Sequence, residues 1–460
     1  MKIFNRKLKI TSSALLTLCM VFVMTACAEN SSQSEKSQPA EQTTVQPTTM
    51  SAEEINDRKL DKFISDMTLE EKVGQMFFVR CPDEDAVQQV SEYNIGGYIL
   101  FGRDFDGKTK DEVVDDIHSY QNEADIPLLI GVDEEGGTVV RVSSNPNLRE
   151  TPFLSPKDTY ADGGWDAVKQ DAEEKADLLL SLGINVNLAP VCDMTSDEYG
   201  FMYDRSFSSD VDMENRYVRT VVETSKSKKL GTVLKHFPGY GNNSDTHTGI
   251  AYDDRDYSEF ENTDFKPFYQ GIESGADCIL VSHNIVNCMD SEYPASLSQK
   301  VHDILRNEFK FDGVIMTDDL IMDAITDFTG DEAAAVTAAK CGNDLLCCSS
   351  VNTQYPAVLE AVQNGEIPEA QVDASVKRIL KWKQNLGIFS IDTYQKKSNQ
   401  PNQRIPLEVR SEKLIAVRCG REDSLNRLYH ILPEYATAKI LTVKHKTPRR
   451  LSSSGCSVCK

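Results

Sequence analysis

The sequence predicts an α/β fold: a (β/α)8 TIM-like barrel preceded by an N-terminal signal and tether and followed by a short basic C-terminal tail. Two observations point there. Eight short apolar runs, at 75–79, 96–101, 127–132, 184–189, 232–234, 278–281, 313–316 and 344–347, recur with helical patterns between them. Six consecutive runs, from the second to the seventh, are followed by charged or ionisable residues, as expected where strand ends of a barrel converge on one mouth. A doubly wound open sheet is the alternative arrangement of the same units.

The elements follow in chain order. Lys2, Arg6, Lys7 and Lys9 make a basic start, and residues 15–23 form an apolar run that ends in Met24-Thr25-Ala26-Cys27. The run is shorter than a membrane span needs and small residues close it, so 1–27 reads as a signal peptide. Its end resembles a bacterial lipobox, with Met24 where Leu is usual, which implies lipidation at Cys27; cleavage after Ala28 is the alternative. Residues 28–51 are rich in Ser, Gln, Thr, Glu and Pro and read as a flexible linker. Such a chain is exported and either stands on the outer face of the bacterial cytoplasmic membrane through its lipid anchor or is secreted.

The barrel is assigned to 52–390. Apolar residues at helical spacing predict helices over 111–123, 166–182, 214–228, 299–308 and 331–339, and the closing pattern ends near 378–389, with Gly387 as a helix stop. Beyond it the composition changes. Residues 391–460 hold 14 Lys+Arg against 6 Asp+Glu in a chain of formal net charge −23, and the segment reads either as a basic surface contact or as a disordered tail. The acidic body excludes nucleic acid as a natural partner, because that affinity comes from neutralising phosphates with Lys and Arg. Most of the 12 cysteines sit in apolar runs rather than at framework or metal-ligand spacings, which predicts buried thiols.

Function concentrates after the strands. Arg103 follows the second run, Asp133 the third, Asp193 and Arg205 the fourth, and His283 the sixth; Asp318 and Asp319 follow the seventh. The fifth run leads into Lys235-His236-Phe237-Pro238-Gly239-Tyr240-Gly241-Asn242-Asn243-Ser244-Asp245-Thr246-His247, a turn-rich loop dense in ionisable groups. Each residue alone could be a cap or a solvated surface group.

Taken in order, several stretches resemble glycoside hydrolase family 3, and within it the β-N-acetylhexosaminidases. They are Met67-Thr68-Leu69-Glu70-Glu71-Lys72-Val73-Gly74-Gln75-Met76, Gly96-Gly97-Tyr98-Ile99-Leu100-Phe101, Asp133-Glu134-Glu135-Gly136-Gly137, Asn187-Leu188-Ala189-Pro190-Val191-Cys192-Asp193, Asp204-Arg205-Ser206-Phe207, the Lys235 loop and Gly313-Val314-Ile315-Met316-Thr317-Asp318-Asp319-Leu320. The resemblance implies a retaining enzyme that removes terminal β-linked N-acetylglucosamine from cell-wall-derived or related glycans, with no cofactor and no metal. It implies Asp318 as the nucleophile that forms a glycosyl-enzyme. His247, paired with Asp245, becomes the acid/base, while Asp133, Arg103, Arg205, Lys235 and His236 grip the sugar. Asp319 is left to local structure. Where the familiar loop reads Pro-Gly-His-Gly-Asp-Thr and carries one more residue before the dyad, this chain has Tyr240, Asn242 and Asn243. Other readings are a second family 3 activity such as β-glucosidase, a sugar-binding lipoprotein without turnover, or a metal-dependent hydrolase using His236, His247, His283 and Asp318.

Overall fold

The computed structural model describes residues 50–398, apart from 244, 245, 247, 248 and 330. The signal segment with Cys27, all but the last two residues of the linker, and residues 399–460 of the tail lie outside the described residues, as do Asp245 and His247.

Runs of Val, Ile, Leu and Phe without polar alternation form strands covered on both faces, as parallel strands are. In chain order the described strands are β1 (Phe77–Arg80), β2 (Gly97–Leu100), β3 (Leu129–Val132), β4 (Val186–Asn187), β5 (Gly231–Phe237), β6 (Tyr252–Asp253, half exposed), β7 (Cys278–Val281), β8 (Ile285–Val286), β9 (Val314–Thr317) and β10 (Leu346–Cys348). Eight of them make one parallel sheet in the order β10-β1-β2-β3-β4-β5-β7-β9. A parallel bridge between Met316 and Leu345 joins its two ends, so the sheet closes into the expected ring. The remaining two, β6 and β8, pair as a separate parallel ribbon; two residues each is too short for a periodic signal in the sequence.

One large ring from β1 fills space that its neighbours leave. A Cβ added to Gly97 would stand 2.3 Å from the Leu129 carbonyl oxygen and 2.8 Å from the Phe78 ring, and one added to Gly131 would stand 2.5 Å from that ring. Glycine on β2 and β3 therefore admits Phe78 into a close-packed interior.

Helices cover the outside and start where their caps dictate. Thr68 and Glu71 exchange bonds at the head of helix Leu69–Gln75, and Thr109 and Glu112 do so for helix Lys110–Glu123. The helix expected over 166–182 begins earlier, at Pro156 behind the Ser155 cap, and is broken where Gly163 and Gly164 leave helical geometry. The one expected over 299–308 is α-helical over Gln299–Asp303 and widens to a π turn over Ile304–Glu308. The body also runs past the expected end at 390. Helix Ile391–Ser398 buries Ile391 and sets the Tyr394 ring edge-on to Phe63, with ring centres 4.8 Å apart, because these first tail residues keep an apolar face. Six described cysteines are buried free thiols, as expected, and Cys288 is exposed.

Candidate active site

Strand ends gather the site. A cavity of roughly 440 Å³ is lined by Arg80 at the end of β1, Phe101 beyond β2, Asp133 beyond β3, Lys235 and His236 on β5, and Asp318 beyond β9, with Arg141, Arg205 and Tyr240 from the loops between. The apolar pattern predicts a fifth strand that ends at Leu234, but β5 continues to Phe237, so Lys235 and His236 lie within it. Pairing of β5 with β7 slips between Leu234 and Phe237, and across this irregularity both adjacent side chains face the cavity rather than alternating.

The centre is a chain of alternating charges. Lys235 Nζ lies 2.6 Å from Asp133 Oδ1 and 2.7 Å from Glu135 Oε1. Arg205 meets the same Glu135 in a two-pronged pair, Nε to Oε2 at 2.9 Å and Nη2 to Oε1 at 2.8 Å. Burial by itself would raise the Glu135 carboxyl, but the Lys235 ammonium and the Arg205 guanidinium outweigh it and hold the group well below the usual carboxylate range. Burial would likewise strip Lys235 of its proton, and Asp133 and Glu135 reverse that, raising its pKa. Glu135, Lys235 and Arg205 are thus held in their charged forms, and the network offers directional donors and acceptors to a polyhydroxylated ligand.

His236 is set by Asp193, whose side chain is fully buried. Asp193 Oδ2 accepts from the His236 backbone N–H at 3.0 Å and from its ring Nδ1 at 2.6 Å. With the proton on Nδ1, the Nε2 lone pair faces Arg205 Nη2 at 3.3 Å. Across the cavity, the Asp319 amide donates to Asp318 Oδ1 at 2.9 Å and orients that carboxylate. Asp319 also lines the cavity; its carboxyl accepts from Ser349 Oγ at 2.6 Å and from the Ile321 amide at 3.2 Å, and burial raises its pKa.

The structure brings Asp133, Arg205, Lys235, His236 and Asp318 together in one cavity. Arg103 departs from expectation. The 3-10 turn Gly102–Asp104 swings it into an adjoining hollow, where Nη1 pairs with Asp83 at 2.8 Å and Nη2 donates to the Cys81 carbonyl. Arg80, one strand earlier, lines the main cavity instead, its guanidinium 4.5 Å from the centre of the Phe101 ring. His283 joins Ser296 Oγ at 2.7 Å to the Asp319 carbonyl at 3.1 Å and supports the β9 loop without lining the cavity. The motifs assign no role to Glu135, although its spacing is a usable signal: in extended chain, residues two apart point the same way, and Asp133 and Glu135 meet the same lysine. Among the described residues, no group of three or more His, Cys, Asp or Glu side chains is arranged to hold a metal ion.

Comparison with known proteins agrees with this geometry. Residues 68–382 match the model of the glycosyl hydrolase family 3 N terminal domain. The chain is 32% identical over 286 residues to a β-hexosaminidase of Hydrogenovibrio crunogenus, covering 60% of this chain and 79% of that one. It is 31% identical over 331 residues to the β-hexosaminidase LpqI of Mycobacterium tuberculosis, covering 68% and 82%. Among solved structures, a family 3 β-N-acetylglucosaminidase from Paenibacillus superposes with a TM-score of 0.66 at 30% identity, covering 70% of this chain; the chain spans 63% of that structure's length.

Proposed function

This chain belongs to glycosyl hydrolase family 3, a glycoside hydrolase of the β-N-acetylhexosaminidase kind, and on that premise we propose that it removes terminal β-linked N-acetylglucosamine with retention, through a covalent intermediate on Asp318. One observation carries the reading: Asp318 lines the same cavity as the Asp133–Lys235–Glu135–Arg205 network and His236. The network grips the hydroxyl and acetamido groups of the terminal sugar. An Asp318 oxygen attacks the anomeric carbon as the bond to the leaving oxygen breaks, and His247, oriented by Asp245, gives its proton to that oxygen. Water then attacks the glycosyl-enzyme, His247 takes its proton, and Asp318 is released as a carboxylate.

A 5-fluoro N-acetylglucosaminyl reagent tests sugar and nucleophile together. It labels the peptide that contains Asp318, and Asp318→Asn lowers kcat/KM on aryl β-N-acetylglucosaminides by on the order of 10³-fold or more. A label on another carboxylate, or an Asn variant as fast as wild type, would falsify the assignment.

The proposed setting is the outer face of the cell, with the barrel tethered by lipid on Cys27 and acting on cell-wall fragments. Supporting it are the basic start, the short apolar run and the polar stretch that follows. Fatty-acid labelling of cells producing the wild type and Cys27→Ala tests the anchor: equal labelling of the two discards it.

A further inference from the structure

Tyr240 stands where the familiar loop has histidine, and its surroundings give it a defined task. The ring is almost wholly buried, packed edge-on to His236 at 5.3 Å and to Phe201 at 5.1 Å between ring centres. Its backbone N–H donates to Asp193 Oδ1 at 2.7 Å, so the carboxylate that sets the His236 ring also fixes the start of this loop. The Asn243 amide closes a turn back onto the Tyr240 carbonyl at 2.9 Å, and Thr195 Oγ1 adds a tie to Asn242 at 2.6 Å. Thus boxed, the ring directs its hydroxyl to Thr246 Oγ1 at 2.5 Å. Burial pushes the phenol up, so this oxygen keeps its proton and stays available as a donor.

We propose that Tyr240 is a positioning residue for proton transfer, acting through its hydrogen bond to Thr246, the residue between Asp245 and His247 in sequence. The chain itself supplies the link: Thr246 is bonded through one peptide group to each dyad residue, so the hydrogen bond that holds Thr246 acts on the point to which both are attached. The inference rests on the proposed function, and in particular on His247 as the acid. Tyr240 contributes no proton to the reaction. Its hydroxyl holds the segment that does.

A purely structural role and a positioning role differ in leaving-group dependence. Cleavage of a sugar–sugar bond expels a poor leaving group that must be protonated, whereas a 2,4-dinitrophenyl glycoside expels a stable phenolate without help. Tyr240→Phe keeps the buried ring and removes only the hydroxyl. The expected result is that kcat/KM for N,N′-diacetylchitobiose falls at least ten-fold more than kcat/KM for 2,4-dinitrophenyl β-N-acetylglucosaminide. Thr246→Val gives the same selective loss, the double variant is no worse than either single one, and Thr246→Ser recovers most of the disaccharide activity. Equal losses on both substrates, or no loss on either, overturn the proposal. Asp318→Asn is run alongside: if it stays active on both substrates, the proposed function fails, whereas if it is inactive and the Tyr240 and Thr246 variants show no leaving-group selectivity, only the present inference does.

Discussion

Replacing Glu135 with Gln tests the electrostatic core of the site. The side chain keeps its shape but loses the charge that meets Lys235 at 2.7 Å and Arg205 at 2.8 and 2.9 Å. Asp133 still neutralises Lys235 at 2.6 Å; among the described residues Arg205 keeps no other carboxylate within hydrogen-bond reach, and a Gln amide must aim two donors among existing donors. Removing one partner of a buried pair costs about 3–5 kcal/mol. Over the roughly 350 residues of the folded body, at about 2.1 cal/mol/K of unfolding entropy per residue, that lowers Tm by about 4–7 °C. The pH dependence has a definite sign. Because the folded state holds the Glu135 pKa low, its contribution is fully present above the unfolded value of about 4.3 and fades as pH falls through the folded one. Calorimetry of wild type and Glu135→Gln at pH 7 and pH 3.5 should therefore show a gap that narrows on acidification. A gap below 1 °C at pH 7, or one that widens in acid, refutes the reasoning.

Further expectations concern other parts of the barrel. Lys383 is fully buried, donates to Gln75 Oε1 at 2.8 Å, and has its pKa pushed down to about 7 by burial. Between pH 7 and about 10 the unfolded chain binds a proton there that the folded one does not, so wild-type stability gains on Lys383→Met as pH rises; urea midpoints at pH 7.5 and 9.5 with no such gain contradict this. Arg205→Ala lowers kcat/KM about 10- to 100-fold, the scale of 1.5–3 kcal/mol for a charge-assisted bond, while Arg103→Ala, held on Asp83 outside the main cavity, changes it by less than about three-fold; equal losses would place Arg103 on the sugar after all. Gly97→Ala forces a methyl against the Leu129 carbonyl and the Phe78 ring and lowers stability by at least about 1–3 kcal/mol, checked by thermal melts.

The barrel was legible because its strands are covered on both faces: eight apolar runs needed only to be counted, and eight strands stand within a few residues of them. Short helices such as Ala86–Tyr93 and Tyr257–Asn262, and the ribbon of β6 with β8, are held by tertiary packing over too few residues to leave a period. The site divides along a similar line. Which strand ends carry chemistry was readable, because Asp133, Lys235, His236 and Asp318 are local features of motif and position. Which charge meets which was not. Arg103 and Arg205 look alike in sequence, each following a strand. Arg103 is captured by Asp83, which follows the neighbouring strand β1, and Arg205 by Glu135, which follows the neighbouring strand β3 but lies 70 residues earlier in the chain. That long-range choice has consequences for function: with the two carboxylates of Asp133 and Glu135 already paired with Lys235 and Arg205, the two cations are neutralised before a sugar arrives. Binding then need not strip water from bare charges, and the selectivity of the site rests on hydrogen-bond direction rather than on net charge.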